Sequence, residues 1–434
     1  MKILGLDIGT TTVSAVVVEN GKVLSALTLK NDSFIDTGNP WEKVQDPDYI
    51  RYTALSAVEQ LLQEYSDVQR IGITGQMHGI VYLNRNGEPV SPLYTWQDGR
   101  GDLPCPHGGT WASHLQKLTG YPLATGFGMV THYVNLQLGV VPTDAAVFCT
   151  IHDYIAMVLA GKKRPVTENS DAASFGLFDL AELRFDIDAV NLAGFDPTIL
   201  PELAGQGSIG CYKGIPVYPA IGDNQASFLG ATSGCLNTML VNVGTGSQFS
   251  VYTPAYMICP GLETRPFPGG GYLLVGASLC GGRAYALLER FLRNTVQAMT
   301  GNAPESCYEA MGKLLESENR PEDVPTVLPL FQGTRQDPSL RGSINGLSTE
   351  NFTPQHLVWA MLEGMAGELA GMYDSFLTAG GAQQPLIGSG NGLRKNIHLQ
   401  RCVSRLFGQD ITMSECTEEA ACGAACFAAM QSLT

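Results

Sequence analysis

A chain of 434 residues, 44% hydrophobic and 15% charged, is long enough for two domains that each bury a core, and its composition is that of a globular protein rather than a disordered one. Its formal net charge of −15, with no long basic run, argues against a nucleic-acid or anionic-membrane partner. No stretch reads as a leader peptide or reaches membrane-spanning length, and eleven irregularly spaced cysteines form no disulfide framework, so a reduced, cytoplasmic location is expected.

Ile3 to Val18 predicts a β-hairpin, with Ile3, Leu4 and Leu6 in one buried strand, Val13 to Val18 in its partner and Gly9 at the tight connection. Its tip gathers Asp7, Thr10, Thr11 and Thr12. Free N–H groups and hydroxyls at such a tip are donors to phosphate oxygens, and a carboxylate beside them can hold a metal through water; the alternative is an ordinary polar turn. Val23 to Leu29 is expected to finish a small antiparallel sheet, and Asp46 to Glu64 reads as a helix with Pro47 near its start. The buried strand Ile71 to Thr74 ends in Gly75-Gln76-Met77-His78-Gly79, a loop at a strand end where ligand contacts collect. In Trp96-Gln97-Asp98-Gly99-Arg100 an indole face can pack on sugar C–H groups while Asp98 and Arg100 bond hydroxyls; a core Trp beside a surface ion pair fits the same residues.

Helical spacing appears at Trp111 to Leu118 and Val147 to Leu159, and a strand at Val217 to Ile221. Asp223 then opens a helix after Gly222, either as its N-cap or as a carboxylate held ionised at a helix N-terminus and aimed at a substrate hydroxyl. Met239 to Val243, Gly244-Thr245-Gly246-Ser247 and Gln248 to Tyr252 repeat the opening pattern, Asp7-Ile8-Gly9-Thr10 lying over Asn242-Val243-Gly244-Thr245. Two such hairpins point to a nucleotide clamped between related halves. Further on come Gly281 and Gly282 before a helix at Ala284 to Leu292, a long helix from Pro354 to Leu377, the glycine-rich turn Gly388-Ser389-Gly390-Asn391-Gly392, and a small-residue helix from Ala420 to Met430. Cys422 and Cys426, one helical turn apart, read as helix packing rather than zinc ligands. Neither a P-loop nor a Gly-x-Gly-x-x-Gly fingerprint is present.

Together these loops resemble, over the whole chain and in the family's order, the FGGY carbohydrate kinases of the actin-like, ribonuclease-H-like ATPase superfamily. The resemblance implies an α/β protein of two such domains, residues 1–233 holding the sugar and 234–434 most of the ATP, with a cleft between them. It implies ATP and Mg²⁺ as cofactors, a small-molecule ketose as substrate, and leaves a homo-oligomer open. Asp223 would be the catalytic base and Asp7 would serve the metal. Thr10, Thr11, Thr12, Gly244 and Thr245 would cradle phosphates, and Gly282, Gly390, Asn391 and Asn396 would bind adenosine. Met77, His78, Trp96, Asp98 and Asn224 would contact the sugar. Gln76-Met77-His78-Gly79 is similar to the sugar loop of ketose kinases, and Thr95 to Arg100, Ala124 to Gly128, Ile151 to Tyr154 and Asp171 to Ser174 look like sedoheptulokinases in particular, while xylulokinases share the Met-His pair. Gly388-Ser389-Gly390-Asn391 departs from the family's usual Gly-Gly-Gly-Ala, and the chain is short for the family.

Overall fold

The computed structural model describes residues 1–316, 320–334, 337 and 339–431. Strands β1 (Lys2–Ile8), β2 (Thr12–Glu19) and β3 (Lys22–Lys30) form an antiparallel meander. β1 and β2 are buried on both faces and read as near-continuous apolar runs, as interior strands must. The sheet does not end there. Helix α1 (Pro47–Glu64), capped by Asp46, returns the chain so that β4 (Val68–Gly75) lies parallel to β1, pairing Asp7 with Thr74. The sheet is therefore mixed and larger than the expected antiparallel unit.

The far edge of the sheet corrects a second expectation. Val217 to Ile221 is not one strand: after β5 (Gly210–Tyr212) come β6 (Ile215–Val217) and β7 (Ile221–Gly222), which pair separately with β4. Pro219 lies in the gap, and a residue without an N–H cannot carry the ladder through. Helix α5 (Asp223–Ala231) starts directly from β7. Between β4 and β5 the chain builds an aromatic-rich lobe around Tyr82, Phe148, Phe175 and Phe195. Within it lie α2 (Gly128–Gln137) and the short α4 (Asn169–Ala172), whereas α3 (Ile151–Leu159) turns back to pack on β1, β4 and α1 in the core of the first sheet. The expected helix from Val147 is a three-residue strand followed by α3, divided at Thr150, whose hydroxyl accepts the Asp153 N–H as an N-cap.

The second half repeats the plan. β8 (Met239–Val243), β9 (Ser247–Thr253), β10 (Glu263–Pro266), β11 (Tyr272–Ser278), β12 (Leu386–Ser389) and β13 (Ile411–Met413) lie in the order β10-β11-β9-β8-β12-β13. In both sheets an antiparallel meander continues into parallel strands on the far side of its first strand. Asn242 thus holds the place of Asp7, one residue from the end of the leading strand. Helices α6 (Gly282–Thr300), α7 (Pro354–Thr378) and α8 (Ile397–Phe407) cover this sheet around Val358, Leu362, Leu369 and Phe376.

The last helix, α9 (Glu419–Met430), packs on β1, β4 and α5 of the first half. Four glycines let backbone touch backbone there. A Cβ on Gly5 would lie 1.9 Å from the Ala421 carbonyl oxygen, one on Gly72 2.0 Å from that of Ala424, one on Gly230 1.9 Å from that of Glu419 and one on Gly423 1.7 Å from that of Ala226. Arg70 closes the end of the helix, its buried guanidinium donating to the carbonyls of Ala428 (2.6 Å) and Gln431 (2.7 Å).

Gly423→Ala sets two effects against each other. Alanine favours a helix interior by about 1 kcal/mol over glycine, whereas a methyl forced into the Ala226 carbonyl costs about 1–3 kcal/mol or more. The contact wins, so Gly423→Ala lowers the melting temperature; a thermal melt at or above the parent value would show that the helices do not touch there.

Candidate functional site

The tips of β1, β4, β7 and β8 converge on a cavity of about 400 Å³ between the halves. Asp7, Gly9, Thr10, Gln76, Trp96, Asp223 and Asn224 line it from the first half, and Asn242, Gln248 and Glu419 from the second. The β1–β2 tip is held by a closed set of hydrogen bonds that sequence reading did not find. Gln45 donates to the Thr10 carbonyl (2.8 Å), Gln76 donates to Gln45 (2.8 Å), and the Thr10 hydroxyl donates to Gln76 (3.2 Å). Trp96, 47% exposed, donates its indole N–H to the Thr10 hydroxyl (3.1 Å). Asn31 braces the same tip by donating to the Gly9 carbonyl (2.9 Å). The hydroxyl-bearing Thr11 and Thr12 lie exposed beside it.

Asp223 is the first residue of α5, with Gly222 at the cap position and no side-chain cap bond. The N-cap alternative is thereby excluded. Asn224 donates to the Asp223 carboxylate at 2.9 Å. Burial raises the Asp223 carboxyl above its ordinary value, against the lowering effects of Asn224, His152 and Arg265. Asp7 is raised too, to about 7, chiefly by burial and then by repulsion from Asp223 and Glu418. The cleft thus gathers carboxylates that repel one another.

Met77 and His78 follow Gln76 on the same loop. Met77 is buried beneath the site, its sulfur 4.0 Å from the Asn224 amide. His78 has a φ of +72° and sits in a γ-turn closed by the Gly79 N–H on the Met77 carbonyl (2.9 Å), a strained conformation for a residue with a side chain. Its ring stacks on Phe127 (centroids 4.6 Å apart), and Nδ1 lies 2.7 Å from the Ser174 carbonyl. A carbonyl only accepts, so Nδ1 carries the proton. The Ala124 to Gly128 loop is the wall behind His78; Gly126, at φ +88°, leaves no room for a Cβ, which would fall 2.0 Å from the Trp96 carbonyl oxygen.

Asp98 departs from the expectation of a sugar contact. It is fully buried, accepts from the Lys43 N–H (3.1 Å) and from the Arg100 guanidinium (2.6 Å and 3.2 Å), and holds Arg100 over the Tyr94 ring. The stretch is the inverse of a core Trp beside a surface ion pair: Trp96 is exposed and the ion pair is buried. Each member needs the other, since either alone would be an uncompensated buried charge.

A second cavity, about 1050 Å³, opens on the second half. Gly244, Thr245, Gly282, Gly390, Asn391 and Asn396 all line it, together with Arg283, Tyr285, Lys395 and His398, which the sequence did not single out. A Cβ on Gly282 would meet the Gly244 carbonyl at 2.5 Å, and Gly390 combines a φ of +84° with a Cβ position 2.5 Å from the Val243 carbonyl. Only glycine fits that conformation in that space. Asn396 caps α8, accepting from the N–H groups of His398 and Leu399. Tyr285, stacked with Tyr308 (5.8 Å), adds a flat apolar wall. The β8–β9 hairpin borders both cavities, with Asn242 and Gln248 on one and Gly244 and Thr245 on the other.

The profile of the FGGY family of carbohydrate kinases, N-terminal domain, matches residues 2–230, and that of its C-terminal domain matches residues 239–432. The chain belongs to this family and is a carbohydrate kinase. It is 28% identical to a sedoheptulokinase of Mus musculus, covering 94% of each chain, and 24% identical to a xylulose kinase of Bacillus subtilis, covering 99% of this chain and 88% of that one. The solved structure of a xylulose kinase from Rhodospirillum rubrum superposes with a TM-score of 0.84 at 22% identity, covering 99% of this chain and 90% of that chain. The fold is the paired actin-like, ribonuclease-H-like ATPase fold. Among the described residues no helix is long and apolar enough to cross a membrane.

The raised Asp7 carboxyl has a consequence for stability without divalent cations. Its folded value of about 7 lies above the ordinary 3.8, so folding penalises the ionised form, and the penalty accumulates as pH rises from about 4 to about 7. Asp7→Asn removes it. The variant melts higher than the parent by a margin that grows over that range and levels off above it; a margin independent of pH in buffered melts with EDTA would contradict this assignment.

Proposed function

We propose that the protein is an ATP-dependent ketose kinase that phosphorylates the terminal primary hydroxyl of sedoheptulose. The observation that carries the site assignment is the placement of Asp223 at the start of α5, lining the cavity between the halves with its carboxyl raised by burial. Asp223 takes the proton of the sugar hydroxyl while the hydroxyl oxygen bonds the terminal phosphorus and the bond to the ADP oxygen breaks. A loose transition state makes alignment and charge neutralisation the main task, and a weak base suffices because the proton leaves late. Asn224 orients the Asp223 carboxylate, and Trp96, Met77 and His78 shape the sugar side.

The donor set suits Mg²⁺ and a nucleotide. Asp7, raised to about 7 beside other carboxylates, is a hard oxygen ligand that a cation would relieve. When bound, Mg²⁺ neutralises charge on the β- and γ-phosphates. Thr10 and Gly244 shape the two hairpin tips against the phosphates, with the hydroxyls of Thr11, Thr12 and Thr245 as donors beside them, while Gly282, Gly390, Asn391 and Asn396 take the adenosine into a cradle that a Cβ would fill. Residues 1–233 serve as the sugar domain and 234–434 as the main nucleotide domain, with α9 reaching back across the boundary.

The seven-carbon substrate is supported by the identity to a sedoheptulokinase over 94% of both chains, and by the Thr95 to Arg100, Ala124 to Gly128 and Asp171 to Ser174 loops. With the terminal hydroxyl at Asp223, the two extra carbons of sedoheptulose extend to the ketone end of the cleft. There each buried hydroxyl left without a partner would cost about 1–3 kcal/mol.

In steady-state assays coupled to ADP release, kcat/KM for sedoheptulose exceeds that for xylulose by at least about tenfold, roughly 1.4 kcal/mol of transition-state discrimination. A preference for xylulose would overturn the substrate and leave the kinase in place. Asp223→Asn loses about a hundredfold or more in kcat while both substrates still bind; retention of more than about a tenth of the parent kcat would remove Asp223 from the base role. Asp7→Ala raises the Mg²⁺ concentration for half-maximal rate without changing ketose affinity measured in the absence of nucleotide, and an unaltered Mg²⁺ dependence would count against the metal role.

A further inference from the structure

Behind the cleft runs a buried segment that the reaction as described does not use. α4 and the single 3₁₀ turn that continues it, Ala173–Phe175, lie beneath both the Asp223 strand end and the His78 loop. The same small device occurs twice along it. Ser170, 1% exposed, donates its hydroxyl proton to the Glu168 carboxylate (2.5 Å), and its oxygen accepts the N–H of Gly222 (3.2 Å), the residue before Asp223. Ser174, 5% exposed, donates to the Asp171 carboxylate (3.5 Å), and its oxygen accepts the N–H of His78 (3.1 Å). A hydroxyl has one proton, so its commitment to a carboxylate turns a lone pair toward the backbone N–H.

The two carboxylates are themselves fixed. Glu168 also accepts the Ser170 N–H at 2.7 Å, and Asp171 accepts the Thr150 hydroxyl at 2.8 Å. The serines stand four residues apart on a helical segment, one turn along one face. The Ser174 carbonyl takes the His78 Nδ1 proton as well, so both the backbone and the ring of a strained residue are tied to this segment.

We propose that Ser170 and Ser174 are positioning residues that lock Asp223 and His78 into one rigid frame, fixing the distance between the base and the sugar-gripping loop. The proposal rests on the reading of Asp223 as base and His78 as sugar contact. It separates two jobs. Loss of the Ser170 link lets the base wander from the hydroxyl while the sugar is still gripped; loss of the Ser174 link loosens the grip while the base stays in place.

The test is steady-state kinetics of Ser170→Ala, Ser174→Ala and Asp223→Asn with ATP, Mg²⁺ and sedoheptulose or xylulose, whichever the parent turns over faster, after thermal melts of each variant. Ser170→Ala lowers kcat at least tenfold with the ketose KM within twofold, whereas Ser174→Ala raises the ketose KM at least fivefold with kcat within threefold. Glu168→Gln, which keeps the shape but weakens the acceptor for the Ser170 proton, gives the Ser170 pattern at smaller amplitude and decides the matter if Ser170→Ala melts too low to assay. Parent-like kinetics in both alanine variants, or the same change in the same parameter for both, overturns the frame. If Asp223→Asn is inactive and Ser170→Ala is fully active, the frame fails and the base reading stands. If Asp223→Asn is active, the base reading fails and Ser174→Ala alone judges the His78 half.

Discussion

The architecture depends on the contact of α9 with the first sheet and with α5. At Gly5, Gly72, Gly230 and Gly423 the backbones approach so closely that no Cβ could be placed between them. Such proximity replaces side-chain interdigitation with dispersion along main-chain atoms, and it fixes the helix axis within a fraction of a methyl radius. Because α9 begins at Glu419, the contact also delivers Glu418 and Glu419 to the cleft, where one raises the Asp7 carboxyl and the other lines the cavity. The charge of the site is therefore set partly by a packing decision made at Gly5, two residues before Asp7 on the same face of β1.

The cleft is electrostatically uncomfortable by construction. Asp7 and Asp223 sit at the ends of adjacent structural units, within mutual repulsion, and burial adds to the cost of ionising both. Arg265 and His152 offset only part of it at Asp223. Under the proposed function, such a site would gain affinity for a cation from the relief of its own repulsion, and the phosphates would meet donors on the two hairpin tips. The strained turn at His78 has the same logic: a conformation that the chain would leave if it could is kept by stacking on Phe127 and by the anchoring of its N–H and ring.

Much of this was legible in sequence because it is local. The two hairpins, the Asp46 cap, the glycine-rich turn at Gly388 to Gly392 and the helix after Gly222 each carry their turn or cap residue in place, and the repeat of Asp7-Ile8-Gly9-Thr10 in Asn242-Val243-Gly244-Thr245 coincides with the repeat of sheet topology. Val147 to Leu159 was misread because an apolar strand runs straight into an apolar helix with no change of composition; Thr150, an N-cap residue in the middle, was the signal. That the Asp98–Arg100 pair would be buried was not legible, because Lys43 and the Tyr94 ring, which enclose it, meet it only after folding. The triangle of Thr10, Gln45 and Gln76 is of the same kind, joining positions that have no pattern in common.

The return of α9 to the first half imposes an order in time. A chain made from its N-terminus completes β1 and β4 early, yet the helix that seats against Gly5 and Gly72 is synthesised some 350 residues later, a delay of roughly 20–70 s at about 5–20 residues per second. Throughout that interval the emerging half displays an uncovered apolar sheet face, with the guanidinium of Arg70 beside it and no carbonyls to receive it. Folding of the first domain is thus tied to completion of the second. The ribosome-bound intermediate is one that chaperones would be expected to meet, and a cut anywhere before Glu419 would leave a fragment that is correct in sequence but unfinished in structure.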